Sequence, residues 1–464
     1  MKNQLFNDFN SHSNEQWQKQ VINDLKGKGF DETLNFIIEE NIKIKPYFDS
    51  EDLGEIPLNF IQQSQIQGVV KSWNNREIIK YKSGKKTNLL IINLLETGAD
   101  SFLVDFSGFV EMEFEVKELL RNIKISTTPF FFKVENNALN LVKELQVIAP
   151  YHWKGGIDND ILGRFFRTGN YDNNQWIEMG EILRIVQNFA SFKSLIINSH
   201  VFHNSGANVS QELAFTLASA IETIDRISEQ NFDLPEIVQK IEFSISVGTN
   251  YFAEIAKIRA LKFLWTKILM QGYGLEEQDI PVISIHCMTS LFYDAAITPH
   301  TNMLRATTEA MSAIIGGCSA LSVRAYDETF QESDEFSRRI SRNISTILKE
   351  ESYFDKVIDP SAGSYFIENL TFQIAEEAFI LLQNVENQGG IVEAFKNNYI
   401  QNEIKRNFAA KQDSLLKNEL VMIGVNKFRH DEIPFIKTEI IEKKQSAIGF
   451  DLLTDLRLSQ IFEK

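Results

Sequence analysis

Short strand-like runs alternate with helical runs of about 10 to 20 residues between positions 76 and 390. This alternation is typical of βαβ units and therefore of a parallel sheet. The strand candidates are 77–82, 101–106, 130–134, 194–201, 241–247, 282–288, 320–325 and 356–358. The longest helix candidates are 211–227, 252–269, 301–315, 336–349 and 372–385. Eight β/α units predict an α/β fold whose sheet closes into a (β/α)8 TIM barrel, with an open doubly wound sheet as the alternative.

The segments that flank the alternation are predicted to form a helical arm and a helical tail. Within residues 1–75, apolar side chains recur at near-helical spacing from position 17 to position 25. The pattern fits either an arm that binds a partner or a small helical subdomain. Residues 76–390 are predicted to be the barrel, and residues 391–464 a polar helical tail or linker.

Composition narrows the class of protein further. The 464 residues carry 47 Lys and Arg against 63 Asp and Glu, a net charge of −16 that disfavours nucleic acid and anionic membranes as partners. The first residues lack the apolar core of a signal peptide, and no run of about 18 apolar residues offers a membrane span. Two cysteines, Cys287 and Cys318, exclude a disulfide framework and are typical of a reducing compartment. These features predict a soluble, cytoplasmic protein.

Few residues are candidates for chemistry. His286 and Cys287 close a strand-like run, where barrel enzymes place functional groups. Because no second His or Cys lies at ligand spacing, no metal site is expected and a hydrogen-bonded, partly buried histidine is favoured. Gly206 lies between a strand and a helix, where backbone amides can hold a phosphate, but a tight turn explains it equally well. Residues 153–156 are predicted to form a surface loop.

Three arginines, Arg338, Arg339 and Arg342, lie close together on one predicted helix. We expect them to pair with Asp334, Glu335 and neighbouring acids at i,i+4 spacing. The sequence has no Gly-rich phosphate loop, no GxSxG and no HExxH. The residues alone therefore predict a barrel without a catalytic constellation.

A series of motifs in fixed order carries more information than any single residue. In chain order they are TNYFAEIAKIRA at 249–260, HCMTS at 286–290, NMLRATTEAM at 302–311, YDE at 326–328, RISRN at 339–343, DPSAGSY at 359–365 and IGVNKF at 423–428. Trp17 with DLKG at 24–27 and KPY at 45–47 add a matching arm. Together these motifs span nearly the whole chain and resemble the methylmalonyl-CoA mutase family, the adenosylcobalamin-dependent acyl-CoA mutases.

The resemblance implies a barrel through which the CoA chain threads, and a separate C-terminal cobalamin domain whose DxHxxG histidine binds cobalt. The present sequence has no DxHxxG; the nearest match, His203 with Gly206, has Val201 where the aspartate is expected. The chain also ends where the family's linker towards that domain begins. We therefore expect no cobalamin-binding domain in this chain, and adenosylcobalamin held by a partner subunit.

The substrate pocket that the resemblance implies is degraded. Val201 stands in place of the pocket histidine, with His200 and His203 offset in register. The other four substituted positions are Lys240 and Glu242 for a CoA-binding arginine and a serine, Met288 for a pocket glutamine, and Arg324 for the asparagine of a His-Thr-Asn turn. An Arg-Gly-Pro-Tyr entry motif is missing between positions 55 and 73. Each change removes a group that a buried acyl thioester needs, and Glu242 would repel an anionic CoA group.

This pattern resembles the family's small, or beta, subunit. It implies a heterodimer with a large catalytic mutase subunit, in which the complex interconverts succinyl-CoA and methylmalonyl-CoA and this chain contributes no catalytic residue. We expect the barrel axis to be filled, with Phe130, Phe131 and Phe132 supplying volume, whereas an open acyl-CoA-sized channel would contradict this role. One alternative is an active acyl-CoA-binding barrel that borrows a cobalamin domain in trans, as in isobutyryl-CoA-type mutases. Another is a non-enzymatic binding protein derived from the family.

Overall fold

The computed structural model describes residues 12–39, 41–66, 72–109, 114–430 and 449–463. The strands are β1 Phe36–Glu39, β2 Ile42–Ile44, β3 Asn74–Lys80, β4 Ser101–Asp105, β5 Phe130–Lys133, β6 Gly155–Asp158, β7 Phe192–Lys193, β8 Leu195–Asn198, β9 Ile241–Val247, β10 Ser284–Thr289 and β11 Ala320–Ser322. The α-helices are α1 Asn14–Asp24, α2 Phe30–Leu34, α3 Leu58–Ile66, α4 Gly84–Glu96, α5 Val116–Leu119, α6 Ala138–Ile148, α7 Ile161–Thr168, α8 Asn174–Val186, α9 His200–Asn204, α10 Val209–Ser228, α11 Leu234–Gln239, α12 Tyr251–Lys267, α13 Pro299–Gly316, α14 Glu335–Glu350, α15 Tyr365–Asn387, α16 Ile391–Lys396 and α17 Tyr399–Leu416.

The strands from β3 to β11 form one parallel sheet that closes on itself. Its order is β7-β6-β5-β4-β3-β11-β10-β9-β8, so β7 and β8 stand at its two ends. These two segments are one stretch of chain interrupted at Ser194, where β7 pairs with β6 and β8 pairs with β9. If β7 and β8 are counted as one strand, the sheet is a closed ring of eight strands, and the predicted (β/α)8 barrel is confirmed.

Hydrophobic burial explains why the helices surround the barrel. All seven residues of β9 are buried, as expected for a parallel strand that faces the barrel interior on one side and helices on the other. Helix α10 begins at a capping box in which the Asn208 side chain accepts from the Gln211 amide and the Gln211 side chain accepts from the Asn208 amide. Fourteen of the 20 residues of α10 are buried, because it packs both on the sheet and against α15.

Seven of the eight predicted strands are confirmed, with ends that move by up to three residues. The prediction at 356–358 is wrong, because these residues form a bend and not a strand. The eighth barrel strand is β6, which begins within residues 153–156. The expected surface loop there is wrong, since Trp153 is fully buried and Gly155 and Gly156 are ladder residues. This strand was not predicted because it begins with two consecutive glycines, and glycine is depleted in strand interiors.

The arginines of α14 also depart from the prediction. Arg342 is fully buried and its Nη1 lies 3.1 Å from the Glu77 carboxylate on β3, while its Nη2 lies 3.5 Å from Glu335, seven residues earlier. Pairing at i,i+4 spacing is therefore wrong for Arg342. Asp334 instead caps the helix, since its Oδ1 accepts from the Ser337 amide at 2.9 Å.

The residues that follow α15 pack back onto the barrel. Helix α16 places Phe395 against Phe165 and Phe166, with ring centroids 5.2 and 4.8 Å apart. From α17, the Asn407 Nδ2 donates to the Gly206 carbonyl at 2.6 Å. The final described segment, 449–463, is extended and ends in a 3-10 turn, Leu458–Phe462. Among the described residues, none of the helices combines the length and the apolar character that crossing a bilayer requires.

The two glycines of β6 are predicted to be essential to barrel closure. A Cβ added at Gly155 would lie 1.8 Å from the Phe130 carbonyl oxygen of the adjacent strand, and the φ of Gly155 is +116°. Gly155→Ala should therefore lower the free energy of unfolding by about 3 kcal/mol or more, measured by denaturant unfolding.

Gly108→Ala is the matched control. Gly108 also has a positive φ, +80°, but none of the described residues lies within 4 Å of an added Cβ. The backbone strain alone should cost about 1 kcal/mol. Equal losses in the two variants would contradict the steric explanation.

Candidate functional site

A cavity of about 280 Å³ opens at the carboxyl ends of the barrel strands, where TIM-barrel enzymes hold their active sites. Its lining alternates along the strands, because successive strand residues face opposite sides. The lining residues are Ile78, Leu103, Asp105, Lys133, Asp158, Asp160, Arg167, Asn198, His200, Asn204, Ser244, His286, Met288, Arg324 and Asp455. We call this cavity the mouth.

Two histidines and three serines form a hydrogen-bonded chain across the mouth. His286 bonds to Ser322 through Nε2 at 2.8 Å and to Ser244 through Nδ1 at 2.9 Å. His200 bonds to Ser244 through Nε2 and to Ser246 through Nδ1, both at 2.8 Å. All four ring nitrogens are therefore engaged within the protein.

One backbone group fixes the direction of this chain. The Ser322 hydroxyl donates to the carbonyl oxygen of Arg76 at 2.7 Å, so it must accept from His286 Nε2. A neutral His286 then accepts at Nδ1 from Ser244, which in turn accepts from His200 Nε2. Burial lowers the pKa of both histidines well below the ordinary value, with Arg324 adding to the effect on His200 and Arg76 to that on His286. Both rings are consequently neutral, each with its proton on Nε2.

The acids at the mouth are held by neighbouring bases and amides. Lys133 lies 3.5 Å from the Asp105 carboxylate, and Asn198 Nδ2 donates to Asp158 at 3.0 Å. Burial and the nearby Asp160 raise the pKa of Asp158 from 3.8 to about 7, against the lowering effect of Lys133. The mouth is thus polar, and most of its polar groups are bonded to one another.

Below the mouth, an ion pair crosses the barrel axis. Arg76 of β3 donates to both carboxylate oxygens of Glu242 of β9, at 2.7 and 3.2 Å, and both side chains are 3% exposed. Two strands, β10 and β11, separate β3 from β9 on the shorter way round the ring. The Arg76 guanidinium lies 3.5 Å from the centre of the Phe131 ring, and the Ser284 hydroxyl donates to Glu242 at 2.9 Å. These side chains fill the axis at this level.

Comparison with known proteins assigns this barrel to a family. The methylmalonyl-CoA mutase family profile matches residues 109–457, three quarters of the chain. The chain belongs to the methylmalonyl-CoA mutase family. It is 30% identical over 449 residues to the methylmalonyl-CoA mutase small subunit of Porphyromonas gingivalis, an alignment that covers 92% of this chain and 71% of that protein.

Further relatives include both kinds of subunit. The small subunit from Streptomyces virginiae is 25% identical over 91% of this chain and 71% of its own length. The Porphyromonas gingivalis large subunit is 30% identical over 65% of this chain and 43% of its own length. The two small-subunit alignments thus cover more of this chain than the large-subunit alignment does.

The positions at which the mutase pocket is expected to be degraded are scattered in the structure. Val201 is buried within α9, because the chain becomes helical at His200 and does not continue the strand predicted to extend to residue 201. Lys240 lies before β9 at the opposite end of the barrel, where its Nζ donates to the carbonyls of Val186 and Phe189 at 2.6 and 2.8 Å. Burial, with Lys193 nearby, lowers its pKa to about 8.

The other three positions lie inside the barrel or at its mouth. Met288 and Arg324 line the mouth, and Arg324 Nη1 donates to Glu328 at 2.7 Å. Glu242 belongs to the ion pair on the axis. The structure thus brings Met288 and Arg324 together, with Glu242 below them, and leaves Val201 and Lys240 elsewhere. The missing Arg-Gly-Pro-Tyr motif falls partly on residues 67–71, outside the described residues.

Several residues of the site were missed by sequence reasoning. Arg76 lies on β3 just before the predicted strand 77–82, which began three residues too late, and Asp158 lies on β6, which was not predicted. A charged residue within a barrel strand was the available signal, because such a side chain needs a partner inside the barrel. His286 is hydrogen-bonded on both ring nitrogens as expected, but it is fully rather than partly buried.

Removing one side of the axial ion pair should be strongly destabilising. Glu242→Gln leaves the Arg76 guanidinium buried without its counter-charge, so the free energy of unfolding should fall by about 3–5 kcal/mol. Glu15→Gln, at the exposed Lys19–Glu15 pair, should leave it almost unchanged. Urea unfolding of the three proteins tests this, and an unaltered midpoint for Glu242→Gln would show that the pair does not form.

Asp158 should make stability depend on pH. The folded protein keeps a proton on Asp158 up to about pH 7, whereas the unfolded chain releases it near pH 4, so stability is lost as the pH rises through this window. Asp158→Asn cannot lose that proton and should gain about 2 kcal/mol relative to the parent between about pH 5 and pH 8. Unfolding curves across this range measure the gain, and Asp24→Asn on exposed α1 is the control. A pH-independent difference would contradict the assignment.

Proposed function

We propose that this chain is the small, non-catalytic subunit of a heterodimeric, adenosylcobalamin-dependent methylmalonyl-CoA mutase. In this role it supports a large catalytic subunit, and the complex interconverts succinyl-CoA and methylmalonyl-CoA. The observation that carries the proposal is the Arg76–Glu242 pair, which occupies the axis along which a catalytic barrel of this family threads its substrate.

The filled axis argues against passage of an acyl-CoA. Arg76, Glu242 and Phe131 are all less than 5% exposed, so the space between them is closed to a ligand. Gly156 faces this layer, and a Cβ there would lie 2.8 Å from the Phe131 ring. Of the three phenylalanines expected to fill the barrel, only Phe131 lies at this layer; Phe130 and Phe132 pack in the core outside it.

The histidines argue against acid–base chemistry at the mouth. A general acid or base needs a ring nitrogen within reach of the substrate. The nitrogens of His200 and His286 are held by Ser322, Ser244 and Ser246 instead. With lowered pKa values, neither ring gains a proton near neutrality.

The buried histidines of this barrel do not fit the role of a cobalt ligand. His203, the histidine nearest to a His-x-x-Gly pattern, is 4% exposed, and its Nδ1 and Nε2 bond to Glu212 and Ser290 at 3.0 and 2.7 Å. Glu212 is further held by Lys257 at 2.7 Å. No nitrogen of His200, His203 or His286 is free for a metal. Adenosylcobalamin, which supplies the radical when bound, is therefore assigned to the partner.

The final described segment covers part of the mouth. The Leu453 amide donates to the Phe166 carbonyl at 2.9 Å, and the Leu456 amide donates to the Asn204 carbonyl at 2.7 Å. Between them, Asp455 lines the mouth and lies 3.9 Å from Arg167. A catalytic barrel must expose this end to the cofactor, so a strap fixed across it is consistent with a supporting role.

The arm is the proposed partner-binding element. Phe36 and Ile37 on β1 are 63% and 64% exposed, and Tyr47 is half exposed nearby. Exposed apolar side chains that cluster on a short hairpin are typical of an interface. The existence of a small and a large subunit in Porphyromonas gingivalis supports a two-subunit assembly.

Co-expression with a large mutase subunit tests the proposal. Omitting this chain should reduce the soluble yield of the large subunit, while His286→Gln in this chain should change the kcat of the complex by no more than about twofold. Loss of a working acid–base group would instead lower kcat by about 100-fold or more.

Each alternative has a distinct outcome. A 100-fold loss in the His286→Gln complex, or saturable binding of an acyl-CoA to this chain, would favour an active barrel that borrows its cobalamin domain. Failure to co-purify with the large subunit would favour a binding protein outside the mutase.

A further inference from the structure

A second, smaller cavity of about 60 Å³ lies beside the mouth, between β3, the chain after β11 and the first turns of α14. Its lining residues are Asn75, Arg76, Glu77, Ile78, Ser322, Val323, Arg324, Ala325, Glu328, Ser333, Arg338, Ser341 and Arg342. Four of these are arginines, although the protein as a whole is acidic. We call this cavity the arginine pocket.

Buried guanidinium nitrogens of the arginine pocket lack hydrogen-bond acceptors. Arg342 is 2% exposed and its Nη2 has no hydrogen bond within the described residues, with the Glu335 carboxylate 3.5 Å away. The Nε atoms of Arg324 and Arg76 are likewise buried without an acceptor. Buried donors are usually satisfied, and a ligand in this cavity would supply acceptors to three such nitrogens.

Three of the four arginines in the arginine pocket have a carboxylate as a close partner. Glu328 pairs with Arg324, Glu77 pairs with Arg342, and Glu242 pairs with Arg76. Arg338 has no acidic partner within 4 Å among the described residues; its Nε and Nη2 donate to the Ser333 carbonyl at 3.1 and 2.9 Å. Glu335 also lies 3.5 Å from Arg342, so four carboxylates face the four arginines, and the pocket offers an anion unpaired donors rather than an excess of charge.

The remaining polar side chains do not compete for a ligand. The hydroxyls of Ser322, Ser333 and Ser341 already donate to protein oxygens, as does Asn75 Nδ2. Arginine nitrogens are consequently the donors that the lining offers, and their planar fork suits oxyanions.

We propose that the arginine pocket binds a small oxyanion such as phosphate. The volume holds about four to six waters at the 10–15 Å³ that each requires, which is room for a tetrahedral ion of five heavy atoms. TIM barrels commonly hold phosphate at the loops after their last strands, next to a helix N-terminus. The arginine pocket shares Arg76 with the axial ion pair and Arg324 with the mouth, but the proposal holds whether or not the subunit is catalytic.

Calorimetric titration with inorganic phosphate, at constant ionic strength, tests the site in the full chain or in its complex. The wild-type protein should bind one phosphate saturably, and Arg338→Gln should weaken the affinity by about tenfold or more. Arg339→Gln is the matched control, because Arg339 is an exposed residue on the same helix. It removes the same charge and should change the affinity by less than about twofold.

The outcomes separate a built site from general attraction to positive charge. Absence of saturable binding by the wild type, or equal weakening in the two variants, would overturn the proposal. If Arg338→Gln does not fold, Arg324→Gln takes its place with the same expected loss. Arg338→Lys keeps the charge but not the fork, and should bind more weakly than wild type and more tightly than Arg338→Gln.

Discussion

The ion pair between Arg76 and Glu242 is the constraint around which the barrel interior is arranged. Two charges removed from water cost several kcal/mol each unless geometry and further bonds offset the loss. Here the pair is bidentate, Ser284 donates to the carboxylate, and the Phe131 ring covers the guanidinium. Because β3 and β9 stand on different sides of the ring, the pair ties two walls together as well as closing the axis.

Arg76 also organises the mouth, which lies above the ion pair. The carbonyl oxygen of Arg76 accepts from Ser322, and that single bond sets the donor and acceptor roles of His286, Ser244, His200 and Ser246 in turn. In a low-dielectric interior such a series of hydrogen bonds is rigid, because reversing the direction of one bond leaves two other groups without a partner. The side chain of Arg76 fills the barrel while its backbone fixes the layer that an enzyme would use for chemistry.

Sequence periodicity predicted the barrel well because each strand is a physical unit that must bury both faces. It failed at β6, where Gly155 and Gly156 are selected by close approach of Phe130, Lys193 and Phe131 rather than by strand propensity. Such crowding is set by neighbouring strands and leaves no local signal. His200 and Arg342 were misjudged for a related reason, since the helical turn after β8 and the partner Glu77 on β3 are both tertiary features.

Satisfaction of buried polar groups distinguishes a supporting barrel from a working one. An active site must keep donors and acceptors unpaired for its substrate, at a cost in stability that function justifies. In this chain the histidines of the mouth and the carboxylate on the axis are fully bonded, so little remains there for a reacting molecule. Unpaired buried donors do occur at the rim, on Arg324 and Arg342 beside Arg338, which has no acidic partner within 4 Å among the described residues. The arginine pocket at the rim is therefore a place where a small ligand would find donors that the histidines of the mouth do not offer.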